Sequence, residues 1–216
     1  MNIRSLVLGE FMTNSYVLWG EAGQDAVVVD APQPADEIVK ALGDLGLEPM
    51  ILVNTHGHID HIGGNPTMRS SYPGISVAAS EETIDFFRRP AKNLSLLLSK
   101  PTKFADPEMI LSDGDRLTQC GLDLEVIRID GHAVGSICLL AEGAPSAVFT
   151  GDTLFAGSVG RSDFPGGDME TLLQGIHERI MCLPDETVVY PGHGPATTVG
   201  EERKNPFLTG RVRADC

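Results

Sequence analysis

The chain has 216 residues, 42% of them hydrophobic and 21% charged, which fits one substantial globular domain rather than a disordered or fibrous chain. Sixteen basic residues against thirty acidic ones give a formal charge of −14, and a surface that acidic repels nucleic-acid phosphates and anionic lipid. No stretch approaches the roughly 18 consecutive apolar residues of a membrane span, and the N-terminus lacks the unbroken apolar run of a secretory signal. No nucleic-acid or membrane partner is therefore expected.

Short runs rich in strand formers open the chain: Leu6 to Leu8, Tyr16 to Leu18 and Ala26 to Val29. A helix is predicted over Pro34 to Leu45, where Ile38, Leu42 and Leu45 recur at helical steps and Gly46 supplies a stop. The run Met50 to Val53 leads into a histidine cluster, after which Asn65-Pro66 reads as a helix cap and first turn. Ser80 to Lys100 is predicted helical with a break near Pro90, and Pro101 to Pro107 as loop. Strands are expected at Leu122–Ile129, Ser136–Ala141, Ala147–Thr150 and Thr187–Tyr190, with a helix over Asp168–Met181 whose apolar face is Leu172, Leu173, Ile176 and Ile180. This order suggests one domain with two sheets and helices outside. Cys120, Cys138, Cys182 and Cys216 are far apart and form no Cys-x-x-Cys pair; free thiols in a reducing cytoplasm are the expectation.

The segment Thr55-His56-Gly57-His58-Ile59-Asp60-His61 carries the strongest chemical signal. In extended backbone His56 and His58 point to one side, and a bend beyond them aims Asp60 and His61 at a second point nearby. Imidazole nitrogen and carboxylate oxygen suit zinc first, with iron or manganese as alternatives. Burying that many polar side chains without partners would cost several kcal/mol, so a metal is the economical reading. His132, Asp152 and His193 each follow a glycine after an apolar run, as loop residues braced by strand ends would. His177 lies outside such a setting and reads as a surface residue of its helix.

Taken together, Thr55 to His61 with Gly63-Gly64, then His132, Asp152 and His193 in that order, and Asp30 closing an early strand, resemble the metallo-β-lactamase superfamily over essentially the whole chain. The resemblance implies an α+β fold, an αβ/βα sandwich of two mixed sheets flanked by helices, spanning 1–216. It also implies two divalent metal ions: one on His56, His58 and His132, a second on Asp60, His61 and His193, with Asp152 bridging. His58 stands where di-iron flavoprotein relatives carry Glu, and Asp152 where true β-lactamases lack a bridging aspartate, so neither branch is favoured. Gly160 to Asp168, Pro191 to Pro195 and Glu201 to Phe207 look like small glyoxalase II-like proteins. Two departures stand out: Ala133-Val134 replaces the usual Thr-Pro after the third histidine, and the chain ends at Cys216 without the helical domain that supplies glutathione contacts.

The activity implied by that resemblance is hydrolysis of a small-molecule thioester, such as glutathione-linked S-lactoylglutathione. The attacking hydroxide comes from a water acidified by two metals, and Asp60 and Asp152 are the catalytic carboxylates. Apart from the ligands no general acid is evident, which favours a thiolate leaving group over an amine. Outer roles are open at this point: Thr55 and Asp30 orient imidazoles or Asp30 caps a turn; Arg161 pairs with Asp163 or with a substrate anion; Tyr190, Phe155 and Phe164 line the pocket or pack the core. The alternatives are a persulfide dioxygenase using one iron on His56, His132 and Asp152, or hydrolysis of another ester, lactone or phosphodiester.

Overall fold

The computed structural model describes residues 1–21, 23–143 and 146–209. The first sheet holds β1 (Asn2–Leu8), β2 (Thr13–Trp19), β3 (Asp25–Val29), β4 (Glu48–Val53), β5 (Ser76–Ser80) and β6 (Met109–Leu111), neighbours in that order. Its first three strands pair antiparallel and the rest parallel. Along the chain between them lie α1 (Asp36–Leu45), the single turn α2 (Ile59–Ile62), α3 (Asn65–Ser71) and α4 (Ile84–Arg88). The second half supplies β7 (Arg116–Leu117), β8 (Leu124–Arg128), β9 (Ile137–Ala141), β10 (Ala147–Gly151), a small hairpin of β11 (Leu154–Phe155) and β12 (Ser158–Val159), α5 (Met169–Gly175), β13 (Val188–Pro191), β14 (Thr197–Thr198) and α6 (Val199–Glu202). The second sheet runs β14-β13-β10-β9-β8-β7, with β10 and β13 parallel and the other pairs antiparallel.

Strand alternation builds the layers. In β2 and β3 the side chains of Tyr16, Leu18, Val27 and Val29 face the second sheet, meeting Val126, Ile137, Leu139 and Phe149. Their sequence neighbours Val17, Ala26 and Val28 face the other way, onto Ile38, Leu42 and Met68 of α1 and α3. Behind the second sheet, Cys138, Leu140, Val148 and Val189 pack on Leu172, Leu173, Ile176 and Ile180. The αβ/βα sandwich of two mixed sheets is thus present, with a dry layer between the sheets and one behind each. Helix α1 ends where expected, at Gly46 with φ 67°, a left-handed cap that glycine adopts without strain.

Four local expectations need correction. Helix α4 stops at Arg88, and 90–100 is a chain of turns. Asn65 does not cap α3, which starts from Gly64; its amide instead pairs with that of buried Asn54, Asn65 Nδ2 donating at 2.7 Å. The predicted helix 168–181 begins at its Asp168 cap but turns into a π-helical stretch over Ile176–Ile180, on which His177 is half-buried rather than open to solvent. Cys120 and Cys138 are free, but Cys182, exposed on the surface, is disulfide-bonded; Cys216 lies outside the described residues. Among the described residues no helix is long and apolar enough to cross a membrane.

Leu139 is fully buried between the sheets, so truncation leaves a cavity that neither sheet can close. Leu139→Ala is expected to lower unfolding free energy by about 2–5 kcal/mol in a denaturant titration, with m unchanged.

Candidate metal centre

The residues singled out in the sequence come together at one edge of the sandwich. Strands β8, β10 and β13 run in a common direction, as do β3 and β4, so the segments after them emerge on the same side. His132 follows β8, Asp152 follows β10, His193 follows β13, Asp30 follows β3 and Thr55–His61 follows β4. Three groups have donor atoms within 4.8 Å of one another: His56, His58 and His132; His56, His61 and Asp152; and Asp60, His61 and His193.

The distances divide into two clusters joined by one carboxylate. His58 Nδ1 lies 3.1 Å from His56 Nε2 and 3.0 Å from His132 Nε2. His61 Nε2 lies 3.3 Å from His193 Nε2, and Asp60 Oδ2 lies 3.3 Å from His193 Nε2. Asp152 reaches both: its Oδ1 is 3.2 Å from His61 Nε2 and 3.5 Å from His193 Nε2, while Oδ2 is 3.6 Å from His132 Nε2. The seven side chains therefore converge, and His56 and Asp152 also share a group with His61.

The outer nitrogens decide which way the inner ones act. His61 Nδ1 donates to Asp30 Oδ2 at 2.7 Å, His132 Nδ1 to the Arg161 carbonyl at 2.7 Å, and His193 Nδ1 to the Phe11 carbonyl at 3.0 Å. These acceptors carry no proton to offer, so in its neutral form each of these three histidines presents a bare Nε2 lone pair inward. His56 Nδ1 sits 3.1 Å from Thr55 Oγ1, which in turn donates to Asp30 Oδ2 at 2.8 Å. Asp30 also accepts from Thr55 N at 2.8 Å. Of its two proposed roles, Asp30 takes the orienting one, directly for His61 and through Thr55 for His56.

Bare lone pairs facing each other at about 3 Å repel unless a cation or a proton lies between them. Asp152 Oδ1 is buried and makes no well-formed hydrogen bond; only the His61 and His193 nitrogens face it, and it needs a proton on them or a cation to compensate its charge. Both features fit divalent cations bound at the two clusters. Glycines make the close approach feasible: a Cβ on Gly192 would sit 2.3 Å from Asp152 Oδ1, and one on Gly151, with φ 48°, 2.4 Å from Thr55 Oγ1. Rigidity after His132 comes without the usual Thr-Pro. Asp130 Oδ1 accepts from Gly135 N at 2.6 Å, and Ser80 Oγ donates to the Gly135 carbonyl at 2.6 Å.

Around the clusters is a pocket of about 470 Å³, walled by Phe11, Leu94, Leu97, Leu98, Phe155 and Phe164 with Arg161 at its edge. Phe155 and Phe164 thus face the pocket, their rings 6.0 Å from His193 and 5.6 Å from His58. Tyr190 packs in the core, stacked on Phe149 at 5.1 Å. Arg161 pairs with Asp163 through two contacts of 2.7 Å and lies over the Phe164 ring. The carbonyls of Phe11 and Arg161 escaped sequence reading, because any residue supplies a carbonyl.

Electrostatics differ between the clusters. Burial, reinforced by the neighbouring imidazoles, pulls His56 well below its ordinary value and, with His132, pulls His58 down to about 3. Burial also pulls on His61, but the carboxylates of Asp152, Asp30 and Asp60 outweigh it and hold the imidazole well above its usual range. A histidine with a raised folded value contributes stability that is full below about 6.5 and is lost as pH rises through the folded value. In the metal-free chain, NMR titration is expected to find His61 keeping its proton to higher pH than an ordinary histidine and His58 staying neutral down to about pH 3. Asp30→Asn should lower the His61 value by removing one of the carboxylates that raise it.

Comparison with known proteins agrees with this geometry. A profile of the Metallo-beta-lactamase superfamily matches residues 8–193. The hydroxyacylglutathione hydrolase GloC of Haemophilus influenzae is 31% identical over 98% of this chain and 100% of its own length. The mitochondrial persulfide dioxygenase ETHE1 of Bos taurus is 30% identical over 96% of this chain and 76% of its own. Among solved structures, the B3 metallo-beta-lactamase BLEG-1 superposes with a TM-score of 0.91 at 35% identity, covering 97% of this chain and 100% of that one. TTHA1623 in a di-iron-bound form superposes at 0.84 with 30% identity, covering 95% and 100%. With its sandwich, its convergent histidines and aspartates and a profile match across most of its length, the chain belongs to the metallo-β-lactamase superfamily.

Proposed function

We propose that the protein is a binuclear metal-dependent thioesterase of the glyoxalase II-like type. One ion would be held by His56, His58 and His132, the other by Asp60, His61 and His193, with Asp152 shared between them. Zinc is the first choice for this donor set, and the di-iron form of TTHA1623 keeps iron open. The observation that carries the reading is Asp152, whose two oxygens face different clusters, Oδ1 toward His61 and His193 and Oδ2 toward His132. Divalent cations held there would supply an acidified water as nucleophile and Lewis acidity for the substrate carbonyl.

The protein's own groups narrow the leaving group. Ionisable side chains lining the pocket among the described residues are His58, Asp60, His132, Asp152, Arg161 and His193. Burial raises the Asp60 carboxyl, but His61 and His193 outweigh it and hold it below the ordinary carboxylate range. Asp152 is likewise held low: burial opposes ionisation, and His61, His132 and His193 overcome it. With both carboxylates ionised and the imidazoles committed, no strong proton donor faces the pocket. An amine would need one to depart, whereas a thiolate leaves unaided. Water adds to the thioester carbonyl, the C–S bond breaks, and the products are a carboxylate and a thiol; of the two protons of the water, one goes to the thiolate, directly or by way of Asp60, and the other is released to solvent. The similarity to the hydroxyacylglutathione hydrolase GloC supports a glutathione-linked thioester as the substrate class, with S-lactoylglutathione as a first assay compound.

A second reading rests on the 30% identity to persulfide dioxygenase ETHE1. One iron on His56, His132 and Asp152 would then consume oxygen with glutathione persulfide, and the Asp60, His61 and His193 cluster would be idle. Two metals per chain with thiol release from S-lactoylglutathione support the thioesterase; one iron with oxygen uptake supports the dioxygenase. Turnover of a β-lactam alone would place the chain with BLEG-1 instead. Asp152→Ala is expected to lose at least one metal by elemental analysis and to lower thioester turnover by about a hundredfold or more. Protons compete with metal for imidazole. Because His61 and His193 are held above their ordinary value and His56 and His58 below it, acidification is expected to empty the Asp60, His61 and His193 site first. Metal content measured against falling pH should therefore pass through one ion per chain before reaching none.

A further inference from the structure

The segment after α4 is built to hold leucines out of the core. Leu96, Leu97 and Leu98 are 53%, 69% and 41% exposed, an unusual cluster beside a polar centre. Leu94 and Ser99 bracket them with φ of 67° and 57°, left-handed conformations that cost a non-glycine residue of order 1 kcal/mol each. Such strain persists only where the surroundings over-determine it, and here a buried polar knot does so. Asn93 Nδ2 donates to the carbonyls of Phe86 and Thr102, each at 3.0 Å, and its Oδ1 accepts from Ser95 N at 3.0 Å. Ser95 Oγ accepts from Thr102 N at 2.9 Å. The knot is fastened to the metal-site segment itself, since Ile59 N donates to the Asn93 carbonyl at 2.8 Å.

These leucines wall a groove. Leu94, Leu97 and Leu98 line the pocket over the clusters together with Phe11, Ile59 and Asp60. Phe11, Ile59, Asp60 and Leu98 also line a second cavity of about 300 Å³, whose wall is mixed, Leu8 and Phe104 beside Glu10 and Lys100. Arg161 lines the first pocket only and is already paired with Asp163. A thioester lying over the clusters therefore has Leu94, Leu97, Leu98 and Phe11 as an apolar wall for one of its arms.

We infer that the acyl arm is a hydrocarbon chain, seated on Leu94, Leu97, Leu98 and Phe11 and running toward the second cavity. The inference rests on the thioesterase reading and names the acyl half of its substrate. Apolar walls reward each methylene they cover, whereas a short hydroxylated acyl group gains little from them.

The test uses the full chain loaded with zinc. In the first arm, kcat/KM is measured for acetyl, butyryl, hexanoyl and octanoyl thioesters of N-acetylcysteamine. In the second, calorimetry gives the affinity of acetohydroxamate through octanohydroxamate, which requires no turnover. Both series are expected to rise by about tenfold or more from two to eight carbons. Leu97→Ser with Leu98→Ser should flatten both series to within about twofold, while Leu96→Ser, which lines neither cavity, should leave the gain in place. Equal kcat/KM across hydrolysed chain lengths, a flat hydroxamate series, or a gain that survives in the double variant overturns the assignment. The first and last of these leave the thioesterase reading intact. A hydroxamate gain that the double variant removes, with no thiol released from any thioester, keeps the hydrocarbon groove and overturns the thioesterase.

Discussion

The candidate metal centre depends on one constraint, met at four of its five histidines: the outer nitrogen is held by an acceptor, so that the inner one is free to face the cluster. Asp30 meets it for His61 directly and for His56 through Thr55. It does so from a left-handed backbone position, φ 57°, which turns the end of β3 beneath the segment that follows β4. A carboxylate in this place also stabilises positive charge among the ligands, complementing Asp152 and Asp60 in front. His132 and His193 use backbone carbonyls, which tolerate any side chain but fix their own positions rigidly. The inner nitrogens are thus aimed by bonds that tie the segments following the strands to one another.

Much of this was legible in the sequence for a physical reason. Metal binding needs particular atoms at particular spacings, and His56, His58, Asp60 and His61 write that requirement into one short segment. The strands after which His132, Asp152 and His193 occur are short apolar runs that period alone makes visible, and the helix stop at Gly46 is a local property of one residue. Elements held by tertiary contacts were less legible. Strand β6, Met109–Leu111, is only three residues long and owes its existence to β5. The stretch after Arg88 carries Leu94, Leu96, Leu97 and Leu98 at spacings that also suit a helix. Asn93 and Ser95 instead take the backbone into turns by offering it side-chain partners. Asn65 looked like a cap because asparagine often is one; its amide found a better acceptor in Asn54, which the end of β4 places beside it.

Roles supplied by backbone atoms left no trace in the sequence at all. The Phe11 and Arg161 carbonyls orient two ligands, and no residue type marks them. Arg161 was legible only in part: its ion pair with Asp163 follows from proximity, while its carbonyl acts on His132 through a different atom of the same residue. The pocket wall shows the same limit, because exposed leucines become meaningful only when the fold brings them beside Asp60 and Phe11.

The contact between His193 and the Phe11 carbonyl has a mechanical side. Phe11 belongs to the turn joining β1 and β2 in one sheet, and His193 follows β13 in the other. Asn14 strengthens the join, its Nδ2 donating to the carbonyls of Pro191 and Gly194 at 2.8 and 2.9 Å, and Tyr16 adds a bond to the Pro191 carbonyl at 2.6 Å. The sandwich is therefore latched at its open edge by the same segment that presents a ligand. Prising the layers apart there would also separate His193 from Asp60 and His61, so an ion seated among those three would act as a rivet through both halves of the molecule.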